Sequence, residues 1–418
     1  CVIYDSLVDE QILDICKNHC EKIYVGKRSH HHTMKQEDIN QLLVDKAKQY
    51  HRVVRLKGGD VYVFGRGGEE GKELYKNHID FEVVPGVSSA TAGLAYAGIP
   101  ITHRGLSGGF QVYTASLRQG SKREFDFSLM LDDYVTYIFL MGMSQLEMII
   151  QGFLDAGKNP ATPVAVLSQA SLPTQQCITG MLSNIVELYQ EYPLPTPGII
   201  VVGNVVKMRE YLNFYERKPL FSKHILVTTV GDDHYLKEQL TDLGAYVDEV
   251  KCGSIQYLET DFTLEKGYLI FTSRHGVIGF MKNFLRLYHD VRKLFDMKII
   301  CIGRKTNEAL NEYGLSSDMM PTVADSHCLN KELKSYLQDG KVYVVQGNNK
   351  SSIQYYDELI CVYENKEVEI PATIQHYDYG FFTCASSVYR FSSDNKSTID
   401  KFISIGAHTT HVIKNVIS

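Results

Sequence analysis

The chain has 418 residues, 44% of them hydrophobic, and a formal net charge of −6; it is too long for one ordinary domain and lacks the basic excess of most nucleic-acid binders. No apolar run reaches the roughly 18 residues that a membrane span needs, and no signal-peptide pattern opens the chain. The nine cysteines are odd in number and scattered, which fits a reducing cytoplasm better than a disulfide framework.

The chain starts at Cys1, directly within the apolar run Val2-Ile3-Tyr4, and so reads as a fragment whose natural start lies upstream. Cys16-Lys17-Asn18-His19-Cys20 has no second ligand pair at zinc-site spacing. No metal is expected there, and the two cysteines are expected to pack on a helix. His30-His31-His32 reads as a polar loop, because three adjacent side chains do not readily converge on one ion. Gln36–Tyr50 carries Ile39, Leu42, Leu43 and Ala47 on one face and reads as a helix. Val53–Leu56, Phe81–Val84, Tyr137–Met141 and Gly198–Val202 read as buried strands. This alternation predicts α/β domains with largely parallel sheets.

Lys57-Gly58-Gly59-Asp60 follows the first of those strands. Glycines there let the backbone approach a ligand closely, and free N–H groups can bind its polar edge. Taken alone, Gly-Gly-Asp is a tight turn. Here it is followed in order by Arg66-Gly67-Gly68-Glu69-Glu70, by Val83-Val84-Pro85-Gly86-Val87-Ser88-Ser89-Ala90, and by Gly98-Ile99-Pro100-Ile101-Thr102-His103-Arg104.

This order resembles the uroporphyrinogen-III C-methyltransferases of the tetrapyrrole methylase family over about residues 1–213. The resemblance implies a bilobal α/β domain over 1–215 that uses S-adenosyl-L-methionine (SAM). It implies cofactor contacts from Gly58, Gly59, Asp60, Val63, Ser88 and Ser89. Two more follow: Met141 in Phe139-Leu140-Met141-Gly142, and Gly180 in Cys177-Ile178-Thr179-Gly180. For Met141 taken singly, core packing is the alternative. The implied acid/base residues are Asp5 in Tyr4-Asp5, Lys27 in Val25-Gly26-Lys27, and Arg66. Family members open with a first strand and a loop of the Gly-x-Gly-Pro-Gly-Asp type, and both are missing before Asp5.

The chemistry suits these residue types. Methyl transfer from a sulfonium to a pyrrole carbon needs in-line placement, then loss of a proton from the macrocycle. Asp5, Lys27 or Arg66 could take, steer or return that proton. The substrate is an octa-carboxylate, and Arg55, Lys57, Arg66, Arg104 and Arg118 are candidate partners for it. Singly, each is otherwise a solvated surface charge.

The segment FYERKPLFSK, residues 214–223, mixes charge with a proline and precedes a fresh strand at His224–Thr229, marking a domain boundary. The second part, 222–418, contains an internal duplication. LIFTSRHGVIGF (269–280) is echoed by GFFTCASSVYRF (380–391), and IICIGRKTNEAL (299–310) by FISIGAHTTHVI (402–413). Two similar half-domains, each with a small parallel sheet, are expected.

These pieces resemble uroporphyrinogen-III synthase. They are Phe271-Thr272-Ser273, Ile302-Gly303-Arg304-Lys305-Thr306, Phe382-Thr383-Cys384-Ala385-Ser386-Ser387, Ile405-Gly406-Ala407-His408-Thr409-Thr410, and Val362-Tyr363. The resemblance implies that Thr272, Ser273, Thr306, Ser386 and Thr409 bind the acetate and propionate groups of hydroxymethylbilane, a task suited to hydroxyls and helix N-termini. It implies that Tyr363 donates a proton to the departing hydroxyl. Lys350 and Arg274 are further carboxylate partners. Each threonine taken singly is otherwise a helix N-cap.

The combined expectation is a cytoplasmic bifunctional enzyme of tetrapyrrole biosynthesis. Its second half makes uroporphyrinogen III from hydroxymethylbilane, and its first half methylates that product at C2 and C7 to precorrin-2, a precursor for sirohaem and cobalamin-type pathways. Small molecules are the expected partners, with no nucleic acid and no membrane. The resemblance also implies a homodimer through the first domain. Two alternatives stand beside it: a non-catalytic tetrapyrrole-binding or interaction module in the second half, and a methylase acting later in corrin synthesis.

Overall fold

Three short parallel strands, β1 (Val2–Tyr4), β2 (Lys22–Tyr24) and, beyond helix α1 (Gln36–Gln49), β3 (Val54–Leu56), form the first sheet in the order β2-β1-β3. The computed structural model describes residues 1–17, 19–26, 34–115, 125–231, 234–348, 351–370, 375–394 and 396–416. The chain divides into two units, Cys1–Ser222 and Lys223–Ser418.

Helix α1 forms where the apolar spacing predicts it. Ile39 and Leu43 pack with Ile3 and Val25, while Glu37 and Asp38 in the first turn and Lys46 and Lys48 in the last complement the helix dipole. Cys16 and Cys20 lie in the connection after a 3₁₀ turn, Glu10–Ile15, and not on a helix as expected. Among the described residues no three His, Cys, Asp or Glu side chains gather as metal ligands. Helices α2 (Gly67–Lys76) and α3 (Ser89–Tyr96) follow. The segment Phe81–Val84 between them makes no ladder, contrary to expectation. Phe81 and Val84 are exposed, so no second layer covers this stretch and burial does not drive it into a sheet.

The second sheet of this unit contains β4 (Gly109–Thr114), β5 (Val135–Leu140), β6 (Pro163–Ser168), β7 (Gln176–Met181) and β8 (Gly198–Val202), in the order β4-β5-β8-β6-β7. Helices α4 (Leu146–Asp155), α5 (Ile185–Glu191) and α6 (Arg209–Leu212) accompany it. Both faces are covered. Tyr137, Phe139, Val164, Val166, Ile200 and Val202 enter one core, while the alternate residues Ile138, Leu140, Ala165, Leu167, Ile199 and Val201 enter another. That double burial explains the unbroken apolar runs. The sheet is not largely parallel. Only β4–β5 is; β5–β8, β8–β6 and β6–β7 are antiparallel. The connection from β6 to β7 spans only residues 169–175, too short for the crossover that parallel neighbours require.

The second unit has two sheets. Strands β9 (His224–Thr229) and β10 (Tyr246–Lys251), with α7 (Tyr235–Asp242) between them, start the first. The chain then builds the whole of the second: β11 (Ser254–Tyr257), β12 (Gly267–Phe271), α8 (Arg274–Tyr288), β13 (Met297–Cys301), α9 (Arg304–Asn311), α10 (Ser326–Tyr336), β14 (Lys341–Gly347) and β15 (Glu358–Lys366). It returns to finish the first with β16 (His376–Phe382), α11 (Ala385–Asp394), β17 (Thr398–Ser404) and α12 (Ala407–Val416). The strand orders are β10-β9-β16-β17 and β11-β15-β14-β12-β13, all parallel except the edge strand β11. The repeated sequences occupy equivalent places, β12-α8-β13-α9 and β16-α11-β17-α12, each ending at a sheet edge. The two lobes are nevertheless not consecutive along the chain, since one interrupts the other.

Candidate active site

In the first unit Gly58, Gly59, Asp60 and Val63 gather at the carboxyl ends of β1 and β3, where open parallel sheets place ligands, and Gly86 brings the loop before Ser88 against them. Gly58 lies against Leu7: a Cβ on Gly58 would stand 2.7 Å from the Leu7 carbonyl oxygen. Gly59 has φ +75°, which a glycine adopts without strain. Asp60 then uses both carboxylate oxygens within the protein. Oδ1 accepts from the Tyr62 and Val63 amides at 2.8 and 3.1 Å, and Oδ2 accepts from the Gly86 amide at 3.0 Å. The amides of Tyr62, Gly86 and Val63 hold its carboxyl below the usual carboxylate range, because they bond the charged form. Gly86 packs so tightly on Gly59 that a Cβ there would overlap the Gly59 carbonyl.

Ser88 caps α3 by accepting the Ala90 amide at 3.2 Å, and Ser89 is exposed at the helix start. Gly93 lets α3 lie on the second sheet, its missing Cβ facing Ile199. Ile199 pairs with Leu140, the residue before Met141. Met141 is therefore in the neighbourhood of this helix, half exposed and with φ +54°, and not in the core. Gly180 is elsewhere. Its ladder row runs through Val164 and Val202 to Tyr137. That is roughly 13 Å along the strands and about 14 Å across them from Met141.

The implied acid/base residues Asp5 and Arg66 have different partners. Asp5 accepts the Leu7 amide at 3.2 Å on Oδ1 and the Arg55 Nη2 at 3.1 Å on Oδ2. Lys27 lies outside the described residues, as does Arg118. Arg66 is the left-handed residue before α2, with its guanidinium paired through two bonds, 2.9 and 2.7 Å, to Glu69. The hydrogen bonds it donates to Glu69 raise its already high pKa, so Arg66 can donate hydrogen bonds but cannot act as the base.

Besides Arg66, two more of the implied substrate cations are already paired, and these two are nearly buried. Arg55 is nearly buried and bonds Asp5, Glu70 and the carbonyls of Ile3 and Leu56. Lys57 Nζ stands 3.0 Å from Glu70 Oε1, with both side chains buried. Burying a charge is costly unless a partner compensates it, so these groups face each other and not solvent. Arg104 does remain exposed, in the turn between His103 and Ser107. Sequence reasoning gave Glu70 no role, although it belongs to the quoted Gly-Arg-Gly-Gly-Glu-Glu run.

In the second unit, Ser273 caps α8 by accepting the Gly276 amide at 3.0 Å, and its Oγ lies 3.0 Å from the Tyr363 hydroxyl. Thr272 donates to the Val345 carbonyl at 3.4 Å. The Tyr363 ring covers Gly347, its partner on β14, and burial raises the phenol's pKa. Two residues that sequence reasoning missed complete this cluster. Tyr257 Oη lies 3.0 Å from His275 Nδ1, and the His275 ring centroid is 5.8 Å from that of Tyr363. Their signal was weak, since Tyr257 comes from an edge strand and His275 follows Arg274 inside the quoted repeat.

Ser386 belongs to the other lobe and receives the Asn365 amide at 3.5 Å. Thr306 and Thr409 do not cap their helices, which is the alternative for each threonine taken singly. Each is the third residue of its helix, not the cap, and each is buried, at 5% and 6% exposure. A carboxylate that met such a buried residue would lose hydration. Lys350 lies outside the described residues.

The sequence model of the family described as Tetrapyrrole (Corrin/Porphyrin) Methylases matches residues 1–186, and that of Uroporphyrinogen-III synthase HemD matches residues 234–354. The chain is 36% identical over 337 residues to the porphyrin biosynthesis protein HemD of Ruminiclostridium josui, covering 78% of this chain and 67% of that one. It is 44% identical over 236 residues to a siroheme synthase of Psychrobacter cryohalolentis, covering 56% of this chain and 43% of that one. The chain thus spans two thirds of the first relative and less than half of the second. Among solved structures, the uroporphyrin-III C-methyl transferase of Thermus thermophilus complexed with S-adenyl homocysteine is 38% identical, covering 49% of this chain and 86% of that one, with a TM-score of 0.42. The chain belongs to the tetrapyrrole methylase family and carries a second domain of the uroporphyrinogen-III synthase family.

Proposed function

We propose that the first unit transfers methyl groups from SAM to C2 and C7 of uroporphyrinogen III, giving precorrin-2, and that the second unit makes uroporphyrinogen III from hydroxymethylbilane. The observation that carries this reading is the Asp60–Gly86 bond. It locks two glycine loops together beside Asp5, in a chain that holds both family domains. Gly58 and Gly86 let these loops pack directly on Leu7 and Gly59, and Val63, Val84 and Val87 expose apolar surface beside them, the kind of surface a nucleoside ligand covers.

When bound, SAM supplies the electrophilic methyl group. Asp5, fixed by Arg55 and the Leu7 amide, takes the proton that the methylated macrocycle must lose. Arg66 and Arg104 bind substrate carboxylates. In the second unit, Tyr363 gives a proton to the departing hydroxyl, and Ser273 orients that phenol. The family resemblance also carries a homodimer through the first unit and a cytoplasmic setting; no helix among the described residues is long and apolar enough to cross a membrane.

The test supplies the whole chain with hydroxymethylbilane, with and without SAM. The expected products are the type-III isomer alone, then a doubly methylated product. A monomethylated product would restrict the reading to one position, and unreacted uroporphyrinogen III would defeat the methylase reading.

A second reading keeps the second unit as a module that only binds tetrapyrrole, with the Ser273–Tyr363 pair serving as hydrogen-bonding groups alone. Formation of the type-I isomer at the uncatalysed rate, with bilane still bound, would select it.

A further inference from the structure

Glu70 stands at the centre of a buried charge cluster. It is 5% exposed, and its Oε1 lies 3.3 Å from Arg55 Nε, 3.0 Å from Lys57 Nζ and 3.2 Å from Gln36 Nε2. Arg55 then reaches Asp5 with its other end, Nη2 to Oδ2 at 3.1 Å. The four ionised groups balance: Arg55 and Lys57 against Glu70 and Asp5. The two neighbouring glutamates of the Gly-Arg-Gly-Gly-Glu-Glu run therefore do different work. Glu69 faces solvent and holds Arg66, whereas Glu70 faces inward and holds Arg55 and Lys57.

We propose that Glu70 is a positioning residue for proton removal in the first unit: by holding Arg55 Nε and Lys57 Nζ, it keeps the Arg55 guanidinium turned so that its far amino group fixes Asp5. This rests on the proposed role of Asp5 as the proton acceptor. The geometry gives the reason for a relay through one guanidinium. Arg55 is planar and its nitrogens diverge, so a carboxylate on Nε sets the direction in which Nη2 points. With Glu70 neutral, Arg55 loses a charged partner and is free to form a tighter pair with Asp5, or to turn away from it. Either change moves the carboxylate that must take the proton. Lys57 matters in the same way. Released from Glu70, its ammonium becomes a second cation beside the Gly58 loop.

The experiment uses the full chain and the variants E70Q, E70D, R55K and D5N. Methylation of uroporphyrinogen III gives kcat, calorimetry gives the SAM dissociation constant, and a crystal structure of E70Q shows the Arg55–Asp5 contact. Expected for E70Q is a fall in kcat of at least about tenfold with SAM affinity changed by less than about threefold. E70D should recover most of the loss, and Arg55 in the E70Q crystal should no longer bond Asp5 as it does here. R55K, which keeps the charge but cannot bridge both carboxylates, should match E70Q and serves if E70Q does not fold. A kcat for E70Q within about twofold of the parent overturns the proposal, as does an unchanged Arg55–Asp5 contact. Parallel losses of SAM affinity and melting temperature that E70D does not repair also overturn it, since they mark a purely structural role. D5N separates the two levels: a D5N enzyme with near-normal kcat removes Asp5 from proton transfer, whereas an inactive D5N beside a normal E70Q removes only Glu70.

Discussion

The carboxylate of Asp60 accepts the amide hydrogen of Gly86 at 3.0 Å, joining two loops that lie 26 residues apart in sequence. The other oxygen is held by Tyr62 and Val63, so Asp60 organises the backbone around the site more than it offers itself to a ligand. Asp60→Ala is expected to weaken SAM binding by at least about tenfold, because three amides lose their acceptor and the loops part. Titration calorimetry on the folded variant measures it, and unchanged affinity would count against this placement of the cofactor.

The same contact has a defined pH dependence. The three amides depress the folded pKa of Asp60 below its unfolded value, which is near 3.8. The contribution is therefore fully present above the unfolded pKa and is lost as pH falls through the depressed folded one. Protection of the Gly86 amide against hydrogen exchange should thus be constant from pH 7 to about pH 4. A loss of protection already between pH 6 and pH 5, by about one unit or more above the ordinary carboxylate pKa, would contradict the assignment.

Adjacent glycines at the start of α2 should respond in opposite ways. A Cβ on Gly67 would press on Val61, its side chain and its carbonyl, whereas a Cβ on Gly68 meets nothing within 4 Å. Gly67→Ala is expected to destabilise by about 1–3 kcal/mol through overpacking. Gly68→Ala should be neutral or stabilise by up to about 1 kcal/mol through helix propensity. Denaturant melts of the two variants give the comparison directly.

Arg66→Leu should leave the fold intact, since the Arg66–Glu69 pair is half exposed, and lower turnover by about 100-fold or more. Arg66→Lys should not restore it, because an ammonium cannot reproduce the planar two-bond geometry. A near-normal rate in Arg66→Leu would remove this residue from the reaction.

Tyr363→Phe removes one hydroxyl and keeps the ring that covers Gly347. The lost bond to Ser273 should cost about 1 kcal/mol of stability. Cyclisation should slow by roughly 100-fold if the phenol supplies the proton. Product analysis by isomer is the measurement, and a type-III yield at the parental rate would assign Tyr363 to packing alone.

Much of this was legible in the amino-acid order. The unbroken apolar runs named β5 and β8, the period-3.6 face named α1, and the double echo named equivalent strand–helix units in the second unit. In the run from Gly58 to Glu70, Gly58, Gly65 and Gly67 sit where a Cβ would clash with Leu7 or Val61. These are local properties: period, chain flexibility and the absence of a side chain act on neighbours in sequence.

What the sequence could not contain is which charge meets which. Arg55 and Lys57 read as substrate cations, but folding brings Glu70 beneath them, and a buried carboxylate claims the nearest cations because its desolvation leaves it no other compensation. Thr306 and Thr409 read as ligand hydroxyls, but both lie in the first turn of their helices and are buried. Met141 and Gly180 read as one site, but the antiparallel register of β5 to β7 sets them apart. The family was decided by residue order alone; the partners of each charged and polar group were decided by tertiary structure, because pairing depends on distance in space and on loss of water.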